Sequence, residues 1–175
     1  MSYDANDLRS KFVGVLAKEH IKMEAMKRAA TLLISDQGAT FFEAPYSGER
    51  YETPGGLAKA TLDGYLVLRI FAAAAEKLIG TIDLDRAAMM WICMMSGYWG
   101  EFGGVSVRSP GYWISPATVS LANAKVFGFD LSLEETEIME RILHAFPGEP
   151  PANFALYWTL SQTMRIVSSC TLLKR

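Results

Sequence analysis

The sequence predicts an all-α fold, a compact helical bundle of about six to seven helices. Three observations support this prediction: apolar residues recur at helical spacing, glycine and proline clusters interrupt them, and N-capping residues precede several apolar runs. The chain has 175 residues, of which 50% are hydrophobic and 21% charged. This length and composition are typical of one domain with a buried core, so we expect residues 1–175 to form a single domain.

The first half of the chain carries three predicted helical regions. The N-terminal helices fall within residues 1–38, where Asp4 to Ile34 has helical apolar spacing, as one helix or two, and Gly38 is the expected C-terminal cap. A long helix is predicted from Leu57 to Leu78. The segment from Ala87 to Met95 is apolar nearly all round, which places it at the centre of the bundle.

In the second half of the chain, sequence signals mark where the predicted helices begin. Ser115 followed by Pro116 is typical of a helix N-terminus. Ser132 and Glu135 have the spacing of a capping box, in which each residue bonds the backbone of the other. The last helix is predicted from Ala152 to Leu173, after a break rich in proline.

Two long loops, residues 39–56 and 96–116, are expected to lie over a cleft. Long loops in compact domains are often functional. The second loop carries five aromatic residues, which are interpreted equally well as a contact surface or as part of the core: Tyr98, Trp99, Phe102, Tyr112 and Trp113.

Charge and cysteine content limit the classes of function. The formal net charge is −2 with no block of like charges, which argues against general nucleic-acid binding. Cys93 and Cys170 show no pairing signature, the N-terminus is polar, and the apolar stretches are too short to cross a bilayer. We therefore expect a cytoplasmic protein without membrane contact.

Four segments in order carry a resemblance to a known family. They are the loop Ala44-Pro45-Tyr46-Ser47, the Gly55-Gly56-Leu57 turn that opens a helix, the apolar helix ending near residue 96, and the helices of residues 115–169. Together they resemble HD-domain metal-dependent phosphohydrolases of the phage type over about three quarters of the chain. The resemblance implies an HD-like helical bundle and a viral or mobile-element origin.

The residues at the family's metal-ligand positions differ from the family pattern. The loop histidine would fall at Arg50 or Tyr51, the helix histidine at Ala60, the central His-Asp pair at Ser96-Gly97, and the closing aspartate at or near Gln162. None of these is a good ligand for a divalent cation. The resemblance therefore implies a degenerate member, a pseudoenzyme with no catalytic residues, no metal and no cofactor.

The leading hypothesis is a non-catalytic HD-like protein that binds a nucleotide-like anion or a protein partner, as an inhibitor of a host factor would. Arg50, Lys59 and Arg108 would form a basic pocket beside the amides of the Gly-Gly-Leu turn, or would be scattered surface cations. The candidate ligand-binding residues are Arg50, Tyr51, Lys59, Ser96, Tyr98, Trp99, Glu101, Arg108, His144 and Gln162.

Two other functions remain open. A phosphohydrolase with a rebuilt site would use Glu52, Asp63, Glu101 and His144 on nucleotides or nucleic acid. A structural or assembly protein would form a homo-oligomer through the aromatic loop. His144 is either a phosphate contact or a histidine favoured by the helix dipole, and His20 is expected to be solvated surface.

Overall fold

The computed structural model describes residues 3–20, 22–46, 51–99, 101–102, 105–106, 114–144 and 149–169. Within these ranges it confirms the predicted all-α bundle. The helices are α1 (Ala5–Phe12), α2 (Glu24–Ile34), α3 (Gly56–Leu78), α4 (Leu84–Ser96), α5 (Pro116–Val126), α6 (Leu133–His144) and α7 (Phe154–Ser168). Two short antiparallel strands, β1 (Glu101–Phe102) and β2 (Val105–Ser106), lie where only a loop was predicted.

The N-terminal region forms two helices, with a π-helical segment, Val13–Ala17, continuing α1. A 3-10 helix, Asp36–Phe42, follows α2, so the irregular part of the first loop begins later than residue 39. Gly38 lies inside this 3-10 helix, and Ser35 is the residue that caps α2, so the cap predicted at Gly38 is wrong. Phe41 and Phe42 fix the 3-10 helix against α1, because both are fully buried and their ring centroids lie 6.0 and 5.7 Å from that of Phe12.

The Gly-Gly-Leu turn before α3 is required by local geometry. Gly55 has a φ of +84°, a left-handed conformation that side chains rarely adopt. A Cβ atom at Gly56 would lie 1.8 Å from the carbonyl oxygen of Tyr51. Both glycines are therefore needed to start this helix, whatever the ancestry of the chain.

Helix α4 lies at the centre of the molecule, as its composition predicted. Every residue from Ala87 to Ser96 is buried. The long helix α3 can approach it closely because a Cβ atom at Gly64 would lie 2.0 Å from the Trp91 ring. The Trp91 indole N–H donates a 2.9 Å hydrogen bond to the Thr61 carbonyl, so the bulkiest core side chain leaves no unpaired polar atom.

The helix starts predicted at Ser115 and at Ser132 are confirmed, and Asp83 provides a further N-cap in the structure. Asp83 caps α4, and Ser115 caps α5 with Pro116 at the first helical position. Ser132 and Glu135 form the reciprocal capping box of α6: the Ser132 N–H donates to the Glu135 carboxylate at 2.8 Å and the Glu135 N–H to Ser132 Oγ at 3.1 Å.

Helices α3 and α7 pack antiparallel. The Phe71 ring near the end of α3 meets the Trp158 ring near the start of α7, at 5.4 Å between centroids. Before α3 begins, Tyr46 reaches Met164 and Ser168 at the other end of α7. No described helix combines the length and apolar character needed to span a membrane.

Candidate functional site

Three tyrosines, Tyr46, Tyr51 and Tyr98, form a packed tyrosine cluster where the first loop, the end of α4 and α7 meet. The Tyr46 ring lies 5.1 Å from that of Tyr98 and 6.3 Å from that of Tyr51, between centroids. The Tyr46 hydroxyl is 3.3 Å from Ser168 Oγ. Burial and the neighbouring Tyr46 hydroxyl raise the pKa of Tyr98. The structure thus brings together two of the candidate residues, Tyr51 and Tyr98, around Tyr46, which was not among them.

Tyr51 connects this cluster to an ion pair on α3. Its side chain is only 1% exposed, and its hydroxyl donates a 3.0 Å hydrogen bond to Asp63 Oδ2. The other Asp63 oxygen accepts from the Lys59 ammonium, one helical turn earlier. Because Asp63 compensates the charge of Lys59, this lysine attracts an anion less than an isolated one would. Arg50 and Arg108 lie outside the described residues, so the basic pocket stays a prediction.

Ser96 and Gly97 are packed against α5. Ser96 is fully buried; its hydroxyl donates to the Cys93 carbonyl at 2.8 Å and accepts from Asn123 Nδ2 at 2.9 Å. A Cβ atom at Gly97 would lie 2.1 Å from Ser120 Oγ and 2.4 Å from the Pro116 carbonyl oxygen. Burial also raises the pKa of the Cys93 thiol, so it stays protonated and is a poor nucleophile.

The remaining described candidates lie apart from the tyrosine cluster or contribute to packing. The Trp99 indole donates to Thr40 Oγ1 at 2.9 Å and its ring packs edge-on against Phe41. His144 is exposed at the C-terminal end of α6, where the helix dipole favours a cation. Gln162 is half-buried on α7, and Glu101 lies in β1 with its side chain outside the described part of the structure.

His20 is not solvated surface, and that prediction is wrong. Its side chain is 3% exposed, with Nδ1 2.5 Å from Asp85 Oδ1 and Nε2 2.7 Å from the Tyr65 hydroxyl. The charged neighbours of His20 in sequence suggested a solvated position. Its partners come from residues 45 and 65 positions away, so no local pattern could have identified them.

A groove of about 480 Å³, which the sequence did not predict, lies between α1 and α3. Its apolar floor and walls are Leu8, Val15, Leu62 and Leu66. Its polar lining consists of Tyr3, Asp4, Asp7, Lys11, Lys59 and Asp63. The volume is within the range of small-molecule sites, and two of the lining residues, Lys59 and Asp63, connect it to Tyr51.

The acidic residues of the alternative hydrolase site do not form a ligand group within the described ranges. No three His, Cys, Asp or Glu residues there are placed to hold one metal ion. Asp63 is engaged by Tyr51 and Lys59, whereas Glu52 is exposed on the loop and His144 lies at the end of α6. The side chain of Glu101 is not among those described, so the proposed set as a whole is untested.

The chain was compared with models of protein families, with curated proteins and with solved structures. None of the three comparisons found a match. The resemblance to HD-domain proteins therefore depends on the sequence segments quoted above.

Proposed function

We propose that this chain is a non-catalytic binding domain on an HD-like scaffold, in which packed side chains replace the family's metal centre. The observation that carries the proposal is the contact at Gly97. The resemblance assigns the family's metal-binding aspartate to this position. Any side chain here would collide with Ser120 Oγ and with the Pro116 carbonyl, which belongs to the backbone and cannot rotate away.

The environment of Tyr51 supports the same proposal. Under one alignment of the resemblance, Tyr51 replaces the loop histidine. The Tyr51 ring packs against that of Tyr46, and its hydroxyl donates a hydrogen bond to Asp63. A metal ion and its water ligands would have to displace these contacts, and Tyr51 offers only a neutral phenol in exchange.

The proposed ligand site is the groove between α1 and α3. Concave, largely apolar sites with a few polar groups are typical of ligand binding. The groove is lined by three aspartates and two lysines, a formal excess of one negative charge, and Lys11 and Lys59 are each paired with an aspartate. This charge pattern favours a ligand with an apolar body, such as a segment of a protein partner, over a nucleotide. Inhibition of a host factor is one activity such a domain could perform.

Thermal unfolding in the presence of candidate ligands tests the proposal. Purified protein would be melted with Mg²⁺, Mn²⁺ or Ni²⁺, with chelator, and with mono-, di- and cyclic nucleotides. A ligand present at a hundredfold over its Kd stabilises the native state by about 2.7 kcal/mol, a readily measured shift. We expect no stabilisation by the metals.

The other results of this experiment separate the alternatives. A metal-dependent shift, together with phosphate release from nucleotides, would overturn the proposal and favour the hydrolase. A nucleotide shift that survives chelator would keep the non-catalytic assignment and change the ligand from a protein segment to an anion.

A further inference from the structure

An apolar stripe on α3 extends the groove beyond the residues that line it. Its members recur at helical intervals, which places them on one face of the helix: Leu62, Leu66, Ile70 and Ala73. The first two line the groove, whereas Ile70 is 68% exposed and Ala73 is also exposed. At 1.5 Å per residue the stripe is about 17 Å long, which is about three helical turns.

The two walls of the groove run in the same direction. The Tyr3 N–H, just before α1, donates a 3.2 Å hydrogen bond to the carbonyl of Pro54, just before α3. Glu19, which follows the π-helical continuation of α1, accepts hydrogen bonds from Tyr65 and Arg69 further along α3. Both helices therefore begin at the same end of the groove, and the stripe leads away from that end.

The walls present side chains rather than a backbone edge. Outside the terminal turns, the N–H and C=O groups of α1 and α3 are bonded within each helix. An extended peptide, which binds through main-chain hydrogen bonds, would find no partners for its backbone here. An amphipathic helix needs none, because its backbone is satisfied internally and it binds through its apolar face. Side chains four residues apart, as in the stripe, also form the ridges that pack into the grooves of a second helix.

The charges of the groove are unbalanced at the end where α1 and α3 begin. Lys11 is paired with Asp7 at 2.6 Å, and Lys59 is paired with Asp63. Asp4 is exposed and accepts from two backbone N–H groups of α1, and no cation among the described residues pairs with its carboxylate. A basic residue of the bound segment would supply the missing charge. In a helix such a residue is most favourable in the last turn, at the negative end of the macrodipole.

We propose that the groove and the stripe together bind an amphipathic α-helix of a protein partner, about three turns long and antiparallel to α3. The C-terminal turn of the bound helix, with a lysine or arginine, lies beside Asp4, and its apolar face covers Leu66 and Ile70. This orientation also sets the negative end of its macrodipole against the positive ends of α1 and α3. The bound helix is one form of the protein segment proposed above as the ligand, so it rests on the proposed function.

Fluorescence anisotropy with labelled synthetic peptides tests the bound helix. The probes are stapled helices of about 14 residues, with leucine, isoleucine, methionine or phenylalanine on the apolar face and arginine in the last turn. We expect at least one of them to bind the wild type with a Kd below about 100 µM. Ile70→Glu should weaken this binding about tenfold, because a charge would enter the stripe. Leu133→Glu, which changes an exposed leucine on α6, should leave it unchanged.

The orientation is tested by Asp4→Asn, which removes the charge and keeps an N-cap residue for α1. This variant should bind the arginine peptide about threefold more weakly than the wild type does, and should bind a peptide with glutamine at that position equally well. A peptide with the arginine moved to the first turn should bind both proteins alike. If Asp4→Asn weakened the binding of that peptide instead, the antiparallel orientation would be wrong.

Three results would overturn the bound helix. They are no binding of any probe at about 1 mM, equal binding to the wild type and to Ile70→Glu, and equal binding of an unstapled peptide with a central proline, which breaks a helix. A titration with an apolar dye separates these results from a failure of the groove itself. Dye binding that Leu66→Glu weakens and Ile70→Glu does not would keep the groove as a ligand site without the helix. Loss of both peptide and dye binding would remove the groove as well.

Discussion

At the scale of single residues, three glycines hold positions where the chain leaves no room for a side chain. Cβ atoms at Gly56, Gly64 and Gly97 would meet the Tyr51 carbonyl, the Trp91 ring and Ser120 Oγ at 1.8, 2.0 and 2.1 Å. These distances are far below a normal van der Waals contact. Gly97 also bears on function, because the HD-like proposal assigns an aspartate of the metal centre to this position.

Gly97→Asp should destabilise the fold by more than about 3 kcal/mol, because the new side chain must displace backbone and would bury a carboxylate. Urea unfolding measures the loss. Gly80→Ala is the matched control: a Cβ atom there meets nothing within 4 Å, so the change should stay within about 0.5 kcal/mol. A Gly97→Asp protein as stable as the wild type would show that there is space for a side chain at this position. It would then remove the main support for the proposal that packed side chains replace the metal centre.

At the scale of elements, α4 and α6 are joined by a two-point ion pair. The Arg86 guanidinium donates to both oxygens of the Glu135 carboxylate, each at 2.5 Å, and also to the Asp130 carbonyl at 2.9 Å. Burial alone would raise the pKa of Glu135, but the hydrogen bonds from Arg86 and Ser132 outweigh it and lower that pKa below its usual value. The same carboxylate thus caps α6 and fastens it to the central helix.

Glu135→Gln should cost about 2 kcal/mol at pH 7, between the values typical of exposed and of buried pairs. Glutamine can still form the capping box, so the loss reports the charge. Because the pKa of Glu135 is lowered in the fold, its contribution is complete above the unfolded-state pKa of about 4.3 and disappears as the pH falls through the lower folded value. Urea unfolding from pH 7 to pH 3 should therefore show the two proteins converging at the acid end.

Glu137→Gln provides the control for this element. Glu137 pairs with Arg141 on the same helix and its side chain is 48% exposed, so we expect a cost below about 0.5 kcal/mol. If Glu135→Gln and Glu137→Gln lowered the free energy of unfolding by equally small amounts at pH 7, the ion pair between α4 and α6 would not stabilise the bundle, despite its geometry.

At the scale of the whole molecule, the groove between α1 and α3 is the site that we propose for a ligand. Leu66 on its wall is 52% exposed, so its replacement should not unfold the protein. We expect an apolar fluorescent dye, anilinonaphthalene sulfonate, to bind the wild type and to bind Leu66→Glu about tenfold more weakly, since a charge would enter the apolar lining. A fluorescence titration gives both affinities.

Leu133→Glu is the control for dye binding. Leu133 is 88% exposed at the start of α6 and is not a groove residue, so this variant should bind the dye as the wild type does. Equal weakening by both substitutions, or none by either, would mean that the dye binds elsewhere and would remove the groove as the proposed site.

The confirmed predictions share a local physical origin. The burial of α4 follows from its composition, and the caps at Ser115 and Ser132 depend on groups within four residues of each other. The candidate site was predictable only in part. Tyr51 and Tyr98 each pack against Tyr46, which belongs to the quoted loop but was not predicted as a site residue, and the groove lined by Leu62 and Leu66 was not predicted.

The helical character of the chain, the start of most of its helices and the central place of α4 could all be predicted from the sequence. These properties arise from spacing and capping over a few residues, and such interactions can be read directly along a chain. The burial of His20, the hydrogen bonds of Asp63 with Tyr51 and Lys59, and the lack of space for a side chain at Gly97 became known from the folded structure alone. Burial, pairing and close approach depend on groups brought together from distant parts of the chain, and no local pattern encodes them.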